Sequence, residues 1–272
     1  MTVSDTVREA FLRETFNRFH HPRYISPDPL EFVYHYDDPL DREIAGLVAS
    51  ALAYGRVAQV LKSVGKVLGK MGRSPRGFLA AAQKPDLGEV FRGFRHRFTT
   101  DCELVELLVG IQGVLRRHGS LQACFLSGLR AGDDTVGPAL CAFVSELNVH
   151  GDGKGRNSLI PVPEKNSACK RLHLYLRWMV RSDAIDPGVW ADVSPERLIV
   201  PLDTHMFRTC RSLGMTTRAQ ADGKTALEIT SAFREIEPGD PVRYDFSLTR
   251  IGIRGEGDLS RMIESCACVH RA

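Results

Sequence analysis

Residues 167–215 read SACKRLHLYLRWMVRSDAIDPGVWADVSPERLIVPLDTHMFRTCRSLGM. Leu172, Leu176 and Met179, flanked by Trp178 and Val180, repeat at helical spacing and predict an amphipathic helix over about 168–182. Ser167 stands where an N-cap belongs, which makes Lys170 the third helical residue. Asp203 is a natural N-cap for a second helix, which ends at Leu213-Gly214. Two helix N-termini that face one cleft, one offering an amine and the other a carboxylate, suggest imine-forming chemistry. A cation in the first turn opposes the positive end of the helix dipole, which favours a neutral, nucleophilic amine. Taken alone, Lys170 reads first as a solvated surface lysine, and Asp203 first as a cap with no further role.

Working outward, the same periodicity fills the chain. Val7, Phe11, Phe16 and Phe19 share a face of an opening helix. Tyr24 to Asp38, with its prolines, reads as an extended connection. Asp38-Pro39 starts a helix carrying Ile44, Leu47, Val48, Ala51 and Leu52, and Gly55 ends that run. Val57, Val60, Leu61, Val64, Val67 and Leu68 repeat the pattern. Further helices are expected at about 101–117, 119–129, 135–148, 224–236 and 241–253, the last opened by Asp240-Pro241. No stretch alternates with period two and no Asn-Gly hairpin occurs, so the expected class is all-α. Residues 41–194 are expected to form one helical subdomain, and 1–40 with 195–272 the other, with the cleft between them.

Composition bounds the function. At 272 residues, 43% apolar and 25% charged, the chain resembles an ordinary globular protein. A net charge of +3 requires any nucleic-acid contact to come from basic residues gathered on one face. No run approaches ~18 uninterrupted apolar residues, and the N-terminus lacks a signal-peptide pattern, so a cytoplasmic location and no membrane partner are expected. The seven cysteines are odd in number and scattered, which reads as free thiols. Cys266-Ala267-Cys268 lacks metal-site spacing, so no metal is expected. Gly151-Asp152-Gly153-Lys154-Gly155 follows no strand and reads as a flexible loop rather than a phosphate cradle.

The run Leu202-Asp203-Thr204-His205-Met206-Phe207-Arg208, followed by Leu213-Gly214, resembles the "VDTHxxR…LGL" segment of the helix-hairpin-helix DNA glycosylases, the endonuclease III superfamily. Ser167-Ala168-Cys169-Lys170 stands where those enzymes place the lysine that begins the helix after the hairpin. Their glycine-containing hairpin is missing, since Pro163-Glu164-Lys165-Asn166 occupies its place, and the lysine-to-aspartate spacing is similar to that of the archaeal 8-oxoguanine glycosylase branch. The chain also resembles an uncharacterised bacterial family sharing SACKRL, LRWMVR, PLDTH and DPVxYDF motifs.

The resemblance implies a fold of two helical subdomains with a divergent hairpin. It also implies a DNA N-glycosylase with abasic-site lyase activity on damaged double-stranded DNA, with oxidised purines such as 8-oxoguanine as substrate. Lys170 would be the nucleophile and Asp203 its electrostatic partner, with no cofactor and no obligate protein partner. Tyr54, Arg56, Lys165, Ser167, Arg171, His205 and Arg208 are the candidate DNA contacts, with Tyr54-Gly55-Arg56 as candidate wedge. Trp178, Trp190 and Phe246 are candidates to stack on a base, although tryptophan is more often a core or rim residue. Arg177 and Arg181 read as a solvated helix face. The alternative function is a non-catalytic nucleic-acid-binding protein of the same fold. A metal-dependent phosphohydrolase using Asp203 and His205 ranks last, for want of clustered ligands.

Overall fold

The computed structural model describes residues 3–149 and 157–254, with side chains to 251. The fold is all-α, as the periodicity predicts. Asp38 caps α2 (Pro39–Ala51) by accepting from the Leu40 amide at 2.8 Å, and proline at the first position fixes the backbone for it. Two acids of α2 are themselves buried, and each organises a neighbouring helix. Asp41 accepts from the Arg76 amide (2.7 Å) at the start of α4 (Pro75–Ala81). Glu43 accepts from the Leu121 and Gln122 amides (2.7 and 3.0 Å) at the start of α7 (Leu121–Ser127), and from Trp190 Nε1 at 3.0 Å. Burial pushes the Glu43 carboxyl up, and these three bonds oppose it.

Helix α9 (Lys170–Val180) runs against α2. The two approach closely because Gly46 has no side chain: a Cβ there would stand 2.8 Å from Met179 Cε. From Leu172 to Val180 every residue of α9 is buried, so the expected amphipathic helix is instead enclosed on all sides. Helices α6 (Asp101–His118) and α8 (Gly137–Asn148) pack together with α7, and α1 (Asp5–Phe19) packs on α12 (Asp245–Arg254), which also meets α10 (Thr204–Ser212). Helices α3 (Val57–Met71), α5 (Lys84–Val90) and α11 (Gly223–Ile236) complete the set, and one continuous apolar core joins them.

Several boundaries differ from the sequence expectation. Pro29–His35 is not extended; it forms a 3-10 helix against α2 and α3 that buries Leu30 and Val33 fully. The last helix starts at Asp245 rather than at Pro241, because the Asp240 carboxylate is committed to Arg181 (2.9 and 3.1 Å) instead of capping. Two short strands also occur: β1 (Arg95–His96) pairs antiparallel with β2 (Thr99–Thr100). No glycine signals this turn, since Arg97 itself takes a left-handed conformation at φ 55°. Among the described residues no helix is long and apolar enough to cross a membrane. The Gly151–Gly155 segment and Cys266-Ala267-Cys268 lie outside the described residues.

Candidate active site

Lys170 is the first residue of α9, not the third. Ser167 does not cap the helix; its hydroxyl accepts from the Cys169 amide at 3.3 Å. Asn166 (φ 56°, ψ 27°) and Cys169 (φ 42°, ψ 35°) are both left-handed, so the chain turns sharply into α9 and no side chain caps it. Left-handed backbone at a buried cysteine is costly, on the order of 1–3 kcal/mol, and persists only where surrounding contacts enforce it. The start of α11 holds the neighbouring Asn166: its side chain and carbonyl accept from the Lys224 and Gly223 amides (3.2 and 3.0 Å), and its amide group donates to Asp222 at 3.1 Å.

Asp203 caps α10 as expected, and its two oxygens divide the work. Oδ1 accepts from the Met206 amide at 2.9 Å, while Oδ2 stands 3.9 Å from Lys170 Nζ. The segment before it is held rigidly, with Leu198, Val200 and Leu202 buried and the Val200 amide bonded to Thr230 Oγ1 at 3.0 Å. Both side chains keep partial contact with solvent, 29% for Lys170 and 38% for Asp203.

Lysine and aspartate open onto one cleft of about 290 Å³. Its mouth is shaped by Ala53, Gly55 and Val57 near the end of α2, by Pro201, and by His205, whose Nε2 lies 3.3 Å from the Leu248 carbonyl. Its floor is ionic. Arg177 is 3% exposed, pairs with Asp245, and reaches Asp186 through Nε (3.2 Å) and Nη2 (3.1 Å). One turn on, Arg181 pairs with Asp186, Asp183 (2.7 Å) and Asp240 (2.9 Å). Arg250 pairs with Asp28, and both Arg177 and Arg250 lie against the Phe246 ring at 5.7 and 4.2 Å. Burial pushes the Asp186 and Asp245 carboxyls up, with the arginines pulling the other way. Burial likewise opposes the Arg177 charge, yet Asp186 and Asp245 outweigh it and raise that guanidinium. Arg177 and Arg181 are thus ion-paired with these carboxylates. The solvated-face reading of Arg177 and Arg181 is therefore corrected: both are buried because four aspartates supply the partners that burial demands.

The other candidates divide. Phe246 and His205 line the cleft. Trp178 (0% exposed) and Trp190 (1%) are core residues and do not line this cleft. Arg171 is partly buried, donates to the Ala51 and Ser158 carbonyls and lies 4.8 Å over the Tyr54 ring, so its guanidinium ties the end of α2 to the segment around Ser158. Tyr54 is pinned too, its hydroxyl 3.0 Å from the His96 carbonyl and 2.5 Å from Thr99 Oγ1. Arg56, Lys165 and Arg208 are exposed but do not line the cleft. Asp28, Leu174, Asp245, Thr249 and Arg250 do line it and escape sequence reasoning; only the YDF motif carrying Asp245 offers a signal. Of the described cysteines, Cys124, Cys169 and Cys210 are buried, Cys141 is partly buried and Cys102 is exposed, all as free thiols. Among the described residues, no group of three or more His, Cys, Asp or Glu has metal-holding geometry.

No curated protein and no solved structure matches the chain. One family model does match, from residue 28 to residue 254, and that span takes in the cleft from Asp28 through Lys170 and Asp203 to Arg250. The chain belongs to the family described as protein of unknown function (DUF2400).

Proposed function

We propose that this chain is a DNA base-excision enzyme, an N-glycosylase with associated abasic-site lyase activity, working through Lys170 and Asp203. The observation that carries the reading is the 3.9 Å approach of Lys170 Nζ to Asp203 Oδ2 at the mouth of a single cleft, each side chain presented by a helix N-terminus. A volume of about 290 Å³ suits one everted nucleoside better than a length of polymer.

The chemistry follows from the two groups. The neutral amine of Lys170 attacks the anomeric carbon, and the base leaves with the bonding electrons and takes up a proton. Asp203, oriented by its bond from the Met206 amide, lies where positive charge develops on the sugar. Opening of the sugar ring turns the new C–N bond into a protonated Schiff base. Loss of a proton from the adjacent carbon then expels the 3′-phosphate, and hydrolysis returns the free lysine. Every step uses protein groups and water alone.

The test is borohydride trapping. Full-length protein is incubated with duplexes carrying an abasic site or 8-oxoguanine, because hydride addition to the imine gives a stable secondary amine. The expected result is a covalent adduct with the unaltered protein and none with Lys170→Gln. Binding of the same duplexes with no adduct would instead identify a nucleic-acid-binding protein that lacks the chemistry.

A further inference from the structure

Phe98 is 64% exposed, more than any other large apolar side chain among the described residues. It stands with Arg97 at the tip of the β1–β2 hairpin, and the strands beneath are firmly anchored. His96 is fully buried, with Nδ1 2.9 Å from Ser63 Oγ and Nε2 3.0 Å from the Tyr54 carbonyl. Thr99 is fully buried as well, with Oγ1 2.9 Å from Ser158 Oγ. An aromatic ring held out in water on a fixed base is preorganised to enter a partner at little ordering cost. Tyr54 stacks beneath Phe98 at 5.1 Å and so supports it from the cleft side. The tip also adjoins the lip of the Lys170 cleft: a Cβ on Gly55, which lines that cleft, would come within 2.8 Å of Arg97 Cδ.

The surroundings of the tip are cationic. Arg56, Arg95 and Arg97 are exposed around it. Arg95 of β1 also lines a hollow of about 460 Å³, together with Lys66, Lys70, Arg92, Phe91 and Phe94. The nearby acids are already engaged. Glu89 pairs with Arg92 at 3.6 Å, and Asp101 accepts from the Gly93 and Cys102 amides at 2.7 and 2.9 Å. Lys70 donates to the Val90 carbonyl and lies 5.6 Å from the Phe91 ring, so its charge is fixed at the wall of the hollow.

We propose that the β1–β2 hairpin is a DNA wedge: Phe98 enters the base stack beside the everted nucleotide, and the hollow lined by Lys66, Lys70, Arg92 and Arg95 seats the phosphates of the flanking duplex. The inference rests on the DNA reading above and assigns to Phe98 the role expected of Tyr54, which is pinned beneath it. An apolar side chain flanked by arginines is the arrangement that unstacks a base step while neutralising the adjacent backbone.

The experiment uses full-length protein and a duplex with a tetrahydrofuran abasic analogue, which cannot form a Schiff base, next to a 2-aminopurine. The unaltered protein is expected to bind and to raise the 2-aminopurine fluorescence as the stack opens. Phe98→Ala should bind about 10-fold more weakly and lose the fluorescence rise, Phe98→Trp should retain both, and all three should melt alike. Lys66→Glu combined with Lys70→Glu should weaken binding to damaged and intact duplexes alike and flatten its salt dependence. Equal binding and equal fluorescence with Phe98→Ala would overturn the wedge, and a trapped Lys170 adduct would then leave the glycosylase reading standing. Failure of the unaltered protein to bind any duplex would overturn both.

Discussion

The two ends of α9 treat positive charge in opposite ways. At its first residue, Lys170 is partly solvated and faces one carboxylate at 3.9 Å, beyond hydrogen-bond reach. Two to three turns deeper, Arg177 and just beyond it Arg181 are almost fully buried and held by Asp183, Asp186, Asp240 and Asp245. The deep arginines use nearly all their hydrogen-bonding capacity within the protein, and that fixes α9 against α12 and the chain before it. Lys170 holds its capacity back. A half-exposed ion pair of this kind contributes no more than about 1 kcal/mol, so stability alone gives little reason to keep it. The contrast separates a framework of saturated charges from a mouth whose amine is only loosely paired, as the proposed chemistry requires.

The sharpest attack on this contrast is at Asp186, which joins the two arginines. Asp186→Asn leaves Arg177 and Arg181 short of a buried counter-charge and is expected to cost about 3–5 kcal/mol in urea unfolding. A cost below 1 kcal/mol would mean that the network is not the framework.

Next in size is a dependence on pH. Burial lowers His173, on the same helix, from 6.5 to about 4, so the folded protein keeps it neutral where the unfolded chain binds a proton. A depressed folded value gives stability that is complete above 6.5 and lost as pH falls toward 4. The shift corresponds to about 3 kcal/mol across that window. Unfolding free energy should therefore decline from pH 6.5 to 4.5, and His173→Phe should flatten the slope. An unchanged slope would place the titration elsewhere.

Smaller still is the separation of the two Asp203 oxygens. Asp203→Asn keeps a side-chain acceptor for the Met206 amide and should alter stability by only a few tenths of a kcal/mol, while lowering turnover about 10²-fold or more. Asp203→Ala removes the cap as well and should cost about 1 kcal/mol more. Equal activity of the Asn variant and the unaltered protein would reduce Asp203 to a cap. The smallest stability effect belongs to Lys170→Gln, within about 0.5 kcal/mol, and it should nevertheless lose all trapping.

How much of this was legible in the sequence followed how local each cause is. The Asp203 cap and the Asp38-Pro39 start are local backbone chemistry, and both stand where the residues place them. The beginning of α9 departs from the sequence reading because the chain turns through left-handed Asn166, held by the start of α11, and left-handed Cys169, which displaces the capping preference of Ser167. The hairpin escaped detection because the left-handed residue is Arg97, which carries no turn signal. Burial of Arg177 was hidden in the same way, since Asp245 reaches it from α12. The cleft itself draws Asp28 and Arg250 from far apart in the chain, a juxtaposition that no window of sequence encodes.

The most direct test of the available amine is to locate it. The borohydride-reduced adduct formed with an abasic duplex would be digested, and the modified peptide identified by mass spectrometry. Modification at Lys170, with the neighbouring lysines and the N-terminal amine unmodified, is the predicted result. An adduct carried by any other amine, or one that persists undiminished in Lys170→Gln, would contradict the account.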